Sequence, residues 1–162
     1  MPNLKDAFTV LNDLETSGAV QKYAVAGAMA FLFYTEPART YDLDVFVFLP
    51  PQEGASISMA PLYKLLEGLG YHFDAEHVMI HDTPVQFLPA YNLLVEEALE
   101  HAILQSYDDV QVRVISPEYL IALALQTGGK HRRVRAEALL DEGKVDQLLL
   151  TGILDAHGIT FT

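Results

Sequence analysis

Two aspartates, separated by one residue, stand where a polar segment enters an apolar one, in the stretch YDLDVFVF over residues 41–48. The run of β-branched and aromatic residues predicts a strand buried on both faces, because apolar residues occupy consecutive positions. Residues i and i+2 of a strand project to the same side, so Asp42 and Asp44 present their carboxylates side by side. Adjacent carboxylates repel each other, and a shared Mg²⁺ or Mn²⁺ would relieve that repulsion. The spacing therefore predicts a divalent-metal site.

The residues before this strand offer a place for a phosphate group. An apolar run over residues 23–26 predicts a strand that ends at Gly27, and residues 28–33 predict a helix that Pro37 terminates. The free backbone N–H groups at such a helix start can hold a phosphate. The simpler interpretation is that Gly27 only forms a tight turn and that the aspartates only solvate a strand end, because a D-x-D spacing is common by chance.

The composition limits the possible classes of protein. The chain has 162 residues, which fits one domain, and a formal net charge of −12, which opposes general binding to DNA. Cysteine is absent, which excludes disulfides, zinc–thiolate sites and cysteine nucleophiles. The start MPNLKDAF does not have the form of a secretory signal, and no apolar run reaches the roughly 20 residues that span a bilayer. We expect a soluble cytoplasmic protein that does not bind membranes.

One basic cluster interrupts this acidic sequence, with four cationic residues over positions 130–135. It is either a solvated helix start that offsets nearby acidic residues, or a clamp for phosphate that faces the acidic site. Cations at a helix N-terminus are unfavourable to the helix dipole, which suggests a compensating anion. The two interpretations have equal weight, and Lys130 and Arg132 are the candidate phosphate-binding residues.

The other segments predict an α+β fold with a helical C-terminal part. Apolar spacing predicts a first helix over residues 3–16 and a helix over 58–68 whose Leu62, Leu65, Leu66 and Leu69 face inward. A strand near 71–73 and a hairpin over 76–89 would lie beside the strand that carries the aspartates. The C-terminal helices begin at a capping serine in Ser116-Pro117-Glu118. The remaining predicted elements are a helix over 91–102, two strands over 103–115, and helices over 131–142 and 145–157.

The order of these features resembles a known fold family. A strand, Ala26-Gly27-Ala28, a helix, Arg39-Thr40 and then Asp42-Leu43-Asp44 on a strand resemble the nucleotidyltransferase fold. Within that family, the sequence is similar to small bacterial proteins related to the AbiEii toxin and to the minimal nucleotidyltransferases. The C-terminal SPEYLIAL segment, the Thr-Gly break and the final His-Gly-Ile extend the resemblance over nearly the whole chain. It implies a mixed β-sheet flanked by helices over residues 1–115, with a helical region over 116–162 packed on the same domain.

The resemblance also implies a chemistry. In the family, three carboxylates on neighbouring strands bind two metal ions, and an acceptor hydroxyl attacks the α-phosphate of a nucleoside triphosphate. By position, Asp42 and Asp44 would be catalytic metal ligands for Mg²⁺ or Mn²⁺, and the acceptor would be a protein or an RNA. The positions that would bind the nucleotide are Gly27, Ala28, Met29, Arg39 and Thr40.

The third carboxylate of the family pattern is replaced. Where the family has Val-Asp-Phe-Leu, this chain has VQFL with Gln86, which is neutral and cannot act as a general base. His81 or Asp82, in the preceding turn, could substitute from another direction. Three hypotheses remain: an active nucleotidyltransferase, a catalytically degenerate protein that binds a nucleotide or a partner in a toxin–antitoxin or phage-defence pair, and an interaction domain of shared ancestry.

Overall fold

The computed structural model describes residues 3–35, 42–52, 58–142 and 144–161, which form a mixed sheet flanked by helices. This is the α+β class that the sequence predicts. The helices are α1 (Leu4–Thr16), α2 (Gly27–Phe31), α3 (Ala60–Gly68), α4 (Leu93–Glu100), α5 (Pro117–Thr127), α6 (Lys130–Asp141) and α7 (Gln147–Ala156). The strands are β1 (Lys22–Ala26), β2 (Leu43–Phe48), β3 (His72–Asp74), β4 (His77–Ile80), β5 (Thr83–Pro89), β6 (Ile103–Tyr107) and β7 (Val110–Val114).

The sheet has the strand order β3-β4-β5-β2-β1-β7-β6, so the strand that follows Asp42 lies at its centre. Strand β2 pairs with β1 in antiparallel fashion and with β5 in parallel fashion. Leu43, Val45 and Val47 are almost completely buried on one face of β2, as the consecutive apolar residues predict. Asp44 projects to the other face and is half-buried. The central strand therefore holds one aspartate in a fixed position.

A buried polar network ties the first helix to the sheet. The side chain of Asn3 accepts a hydrogen bond from the backbone N–H of Asp6 and caps α1. Tyr23 is 1 % exposed. Its hydroxyl accepts a hydrogen bond from the backbone N–H of Arg113 at 3.1 Å and donates one to Asn12 Oδ1. Burial raises the pKa of Tyr23 to about 12. This network fixes the register of α1 against β1 and β7.

Three local predictions are wrong. Leu65 and Leu69 are 41 % and 57 % exposed, because α3 buries the stripe of Leu62 and Leu66 and its other leucines lie on the neighbouring stripe. The hydroxyl of Ser116 makes no capping hydrogen bond, although α5 begins on Pro117 as predicted, a residue that has no N–H to satisfy. Helix α2 covers only Gly27–Phe31, so it ends two residues before the predicted end at residue 33. Among the described residues, no helix is both long enough and apolar enough to cross a membrane.

Candidate functional site

The sheet places Asp44 in a row of residues from three strands. Asp44 lies opposite Ala26 of β1 on one side and opposite Gln86 of β5 on the other. Asp42 precedes β2 and is exposed. Burial raises the pKa of Asp44, and the charge of Asp42 raises it further. The two carboxylates are therefore close enough to repel each other, as their spacing predicts.

Gly27 packs directly against Asp44. Its φ angle is +62°, a left-handed conformation that glycine adopts without strain. A Cβ atom at this position would overlap the Asp44 Oδ2 atom and lie 3.1 Å from its Cγ atom. Ala28 is half-buried and the side chain of Met29 is buried in the core, and neither residue lines the cavity beside Asp44. The glycine thus makes room for the carboxylate as well as forming a turn.

A cavity of about 190 Å³ adjoins Asp44 and Gly27. Its charged wall consists of Asp44 from the sheet and of Arg132 and Arg135 from α6. Both arginines lower the pKa of Asp44 and partly offset the effect of burial. The remaining walls are mainly apolar and include Phe31, Phe46, Leu88, Tyr91, Leu120 and Leu123. The cavity therefore combines a carboxylate, two guanidinium groups and an apolar surface.

Helix α6 divides the basic cluster between two faces. Arg132 and Arg135 are three residues apart, so they lie on the same face of the helix, toward Asp44. Lys130 and Arg133 line a separate depression at the start of α6. Arg133 also pairs with Glu137, with 3.3 Å between Nε and Oε1. The structure thus places Arg132 beside the aspartate and Lys130 away from it.

Two other predicted site residues, Arg39 and Thr40, lie outside the described residues. His81 and Asp82 form the turn between β4 and β5. His81 and Asp82 have φ angles of +48° and +63°, and the His81 ring lies 3.5 Å from the Tyr71 hydroxyl. The charges that shift the pKa of Asp44 come instead from Asp42, His77, Arg132 and Arg135. Neither His81 nor Asp82 is among the groups that shift the pKa of Asp44, so the structure does not favour them as substitutes for the third carboxylate.

Gln86, for which the resemblance predicts a carboxylate, lies beside Asp44. It pairs in register with Asp44 on the parallel neighbour β5, and its side chain projects to the same face of the sheet. Among the residues that the structure describes, no group of three histidine, aspartate or glutamate side chains could hold a metal ion. Of the candidate oxygen donors, Asp44 lines the cavity, Asp42 directly precedes β2, and Gln86 pairs with Asp44 from β5. Such a set fits one hard divalent ion that takes its other ligands from water or phosphate.

Sequence reasoning missed His77 and Arg135. Strand β4 pairs with β5 through Val78 and Val85, which brings His77 to the level of Gln86. The His77 side chain is 23 % exposed, and its Nδ1 atom lies 3.9 Å from Glu76 Oε1. The alternation of β4, in which Val78 and Ile80 are buried, puts His77 on the same face as Gln86, but only the strand pairing reveals the proximity. The spacing of Arg135 from Arg132 was a usable signal.

The sequence matches no protein-family profile and no curated protein. The structure is similar to that of an antigenic nucleotidyltransferase-like protein from Paracoccidioides brasiliensis, with a TM-score of 0.61 and 14% identity over 95% of this chain and 86% of that one. It is also similar to the antibiotic-resistance factor ANT(2'')-Ia, with a TM-score of 0.55 and 14% identity over 98% and 93% of the two chains. The chain has a nucleotidyltransferase-like fold. At this level of identity, the likeness extends to the fold alone.

The register between β2 and β5 decides which residue lies beside Asp44. The resemblance places the family's third carboxylate on the strand after the hairpin, and this chain places Gln86 on that strand beside Asp44. The position at which the resemblance predicts the third carboxylate is therefore adjacent to Asp44. Gln86 lies on β5, between Asp44 of β2 and His77 of β4.

Proposed function

We propose that the protein binds a nucleoside triphosphate together with one divalent cation, at a site formed by Asp42, Asp44, Arg132 and Arg135. The observation that carries the proposal is the half-buried Asp44, which lines one cavity with two arginines from a different element. An isolated carboxylate loses hydration when it is buried, so a burial of this kind favours a charged partner. A metal–phosphate complex supplies both a cation for the aspartates and anions for the arginines.

The residues of the site have distinct parts in this proposal. Asp42 and Asp44 would hold Mg²⁺ or Mn²⁺, which neutralises phosphate oxygens when it is bound. Arg132 and Arg135 would bind the phosphate groups, because guanidinium groups pair well with phosphate. Tyr91 packs edge-on against Phe46 with 6.0 Å between ring centroids, which gives the base an aromatic wall. The roles of Ala28, Met29, Arg39, Thr40 and Lys130 stay predictions.

Isothermal titration calorimetry with ATP, GTP, CTP and UTP tests the proposal. We expect at least one nucleotide to bind with Mg²⁺ and to bind much more weakly with EDTA. The double variant Arg132→Gln/Arg135→Gln should bind about tenfold more weakly or worse, because two charge-assisted phosphate contacts are lost. Arg133→Gln removes a neighbouring cation that faces a separate depression, so it serves as the matched control. Absence of metal-dependent binding for all four nucleotides would contradict the proposal.

A second candidate function is nucleotide transfer to a hydroxyl group of a protein or an RNA. The observation that favours it is His77, which lies at the level of Gln86 and can accept a proton where glutamine cannot. The acceptor oxygen would attack the α-phosphorus, the bond to the β-phosphate would break, and pyrophosphate would leave while His77 takes the hydroxyl proton. A role in a toxin–antitoxin or phage-defence pair belongs instead to the first candidate, a protein that binds nucleotide without transferring it.

Labelled nucleoside triphosphates, incubated with the protein and a cell lysate, separate the two candidates. If transfer occurs, we expect labelled protein or RNA with the wild type, loss of the label with His77→Gln, and at least about tenfold more label with Gln86→Asp, because a third carboxylate adds metal-binding charge. Label with Gln86→Asp but none with the wild type would indicate a nucleotide-binding protein without transfer. Absence of label from both proteins would exclude the second candidate.

A further inference from the structure

Strand β6 forms one edge of the sheet, and none of the described strands pairs with its outer side. Its inner side pairs with β7 in antiparallel fashion. In such a pair, hydrogen-bonded and non-hydrogen-bonded positions alternate, so every second residue directs its N–H and C=O groups outward. An unpaired edge of this kind is a template for a strand from another chain.

The hydrogen bonds of β7 identify which residues of β6 face outward. Arg113 donates its N–H to a tyrosine of β1, and the Gln111 carbonyl accepts from an asparagine of α1, so both residues direct these groups away from β6. Their partners in β6 are Leu104 and Ser106. Leu104 and Ser106 therefore occupy non-hydrogen-bonded positions, and their own N–H and C=O groups point to the open edge.

The edge at β6 lacks the features that usually prevent strands of different molecules from pairing. Natural edge strands are commonly very short, or they carry lysine, proline or a bulge. Strand β6 has five residues, ILQSY, without a charge, a proline or a break in its pairing. Its Ile103 and Leu104 side chains are exposed. At the opposite edge, β3 has only three residues and ends at Asp74. The edge at β6 is therefore the one better suited to pairing.

We propose that β6 pairs with β6 of a second copy of this chain, in antiparallel direction and centred on Gln105, to form a two-fold symmetric dimer. This register matches all five residues of each strand. Leu104 of one copy then lies opposite Ser106 of the other, so the backbone groups at the two open edges hydrogen-bond to each other. Ile103 lies opposite Tyr107, and pairs of an aromatic with a β-branched residue stabilise sheets. The strand is therefore complementary to itself, as a two-fold interface requires.

The distribution of charge favours a second copy in the antiparallel direction. The formal net charge of −12 opposes contact between copies in general, but β6 itself carries no charge. Asp108 and Asp109 form the turn after β6, and Lys5 pairs with Asp109 at 2.7 Å. Near the start of β6 lie Glu100 and Lys22, whose Nζ atom donates to the Glu100 carbonyl at 3.2 Å. Antiparallel pairing brings the acidic turn of each copy to this mixed end of the other, whereas parallel pairing would bring the two acidic turns together.

The proposed interface is separate from the nucleotide site. Strands β7 and β1 lie between β6 and β2, so Asp44 is three strand spacings, roughly 14 Å, from the interface strand. The proposal therefore does not rest on the proposed function, and neither experiment below contains a nucleotide or a metal.

Cysteine cross-linking tests the register, because the chain has no cysteine of its own. In the dimer, position 105 of one copy lies opposite position 105 of the other in a non-hydrogen-bonded pair, with Cα atoms about 4.5 Å apart, which is within the range of a disulfide. Gln105→Cys should therefore form a disulfide-linked dimer under mild oxidation. Ile103→Cys, on the same face of β6, is the matched control, since its two copies would lie roughly 13 Å apart. The proposal is overturned if Ile103→Cys cross-links as fast as Gln105→Cys, or if neither variant does so.

Light scattering after size exclusion measures the dimer without a cross-link. At about 100 µM we expect twice the mass of one chain, since an interface of this small size is expected to bind in the micromolar range. Leu104→Lys should raise the dissociation constant at least about tenfold, because it places a charge at the open edge. Leu148→Lys adds the same charge at an exposed leucine of α7 and is the matched control, and thermal unfolding checks that both variants are folded. The mass of a single chain for the wild type, or equal dissociation constants for the two variants, would overturn the proposal.

Discussion

The Asp44→Asn variant is expected to lose metal-dependent nucleotide binding by about a hundredfold or more, because even the loss of an outer partner of a metal ligand costs about 10–100-fold and Asp44 is itself a proposed ligand. Asp44 is the half-buried member of the pair and shares its cavity with both arginines, whereas Asp42 is exposed. Loss of its charge would weaken the metal directly and would leave the arginines without their anionic neighbour. Calorimetry with Mg²⁺ and the nucleotide that binds the wild type best measures the effect.

The same variant should unfold at a higher temperature than the wild type when nucleotide and metal are absent. Burial and the charge of Asp42 raise the pKa of Asp44, so the ionised carboxylate destabilises the folded state at neutral pH. An amide of the same shape removes that cost, and opposite effects on stability and on binding are typical of functional sites. Asp13→Asn, which removes an exposed charge from α1, is the control. Lower stability together with unchanged nucleotide affinity would assign Asp44 a structural role.

The central part of the site could be predicted from the sequence because strand geometry is local. The i, i+2 spacing predicts that Asp42 and Asp44 lie close together, and the charge of Asp42 does raise the pKa of Asp44, although Asp42 precedes β2. The position of Gln86 beside Asp44 required the resemblance, since nothing local in the sequence specifies that β5 pairs with β2 in parallel. These two steps define most of the site.

The other residues of the site depend on tertiary packing. His77 reaches the level of Gln86 through the register of β4 against β5, and no periodicity within β4 contains that register. Lys130 and Arg132 are close in sequence, yet α6 directs them to different depressions. Leu65 illustrates the same limit on α3, because apolar spacing predicts a broad buried face and only the stripe of Leu62 and Leu66 is buried. A pattern in sequence can thus identify a face, but the neighbouring elements decide what that face contacts.

The contact between Gly27 and Asp44 joins the fold to the proposed site, and alanine at position 27 should damage both. Alanine in a left-handed conformation costs about 1–2 kcal/mol by itself. Gly158, at the end of α7, measures that cost alone, because its φ angle of +64° nearly equals the +62° of Gly27 while nothing lies within 4 Å of an added Cβ. At position 27 the Cβ would also overlap Asp44 Oδ2, which adds about 1–3 kcal/mol of overpacking.

The free energy of unfolding, measured with denaturant, should therefore be highest for the wild type, lower for Gly158→Ala and lowest for Gly27→Ala. Nucleotide affinity separates the two variants more sharply, because only alanine at position 27 displaces the carboxylate that we propose as a metal ligand. We expect Gly158→Ala to bind nucleotide as the wild type does, and Gly27→Ala to bind at least about tenfold more weakly. Equal losses of stability in the two variants would mean that Asp44 moves aside freely. Unchanged nucleotide binding in Gly27→Ala would then show that the position of Asp44 does not determine affinity.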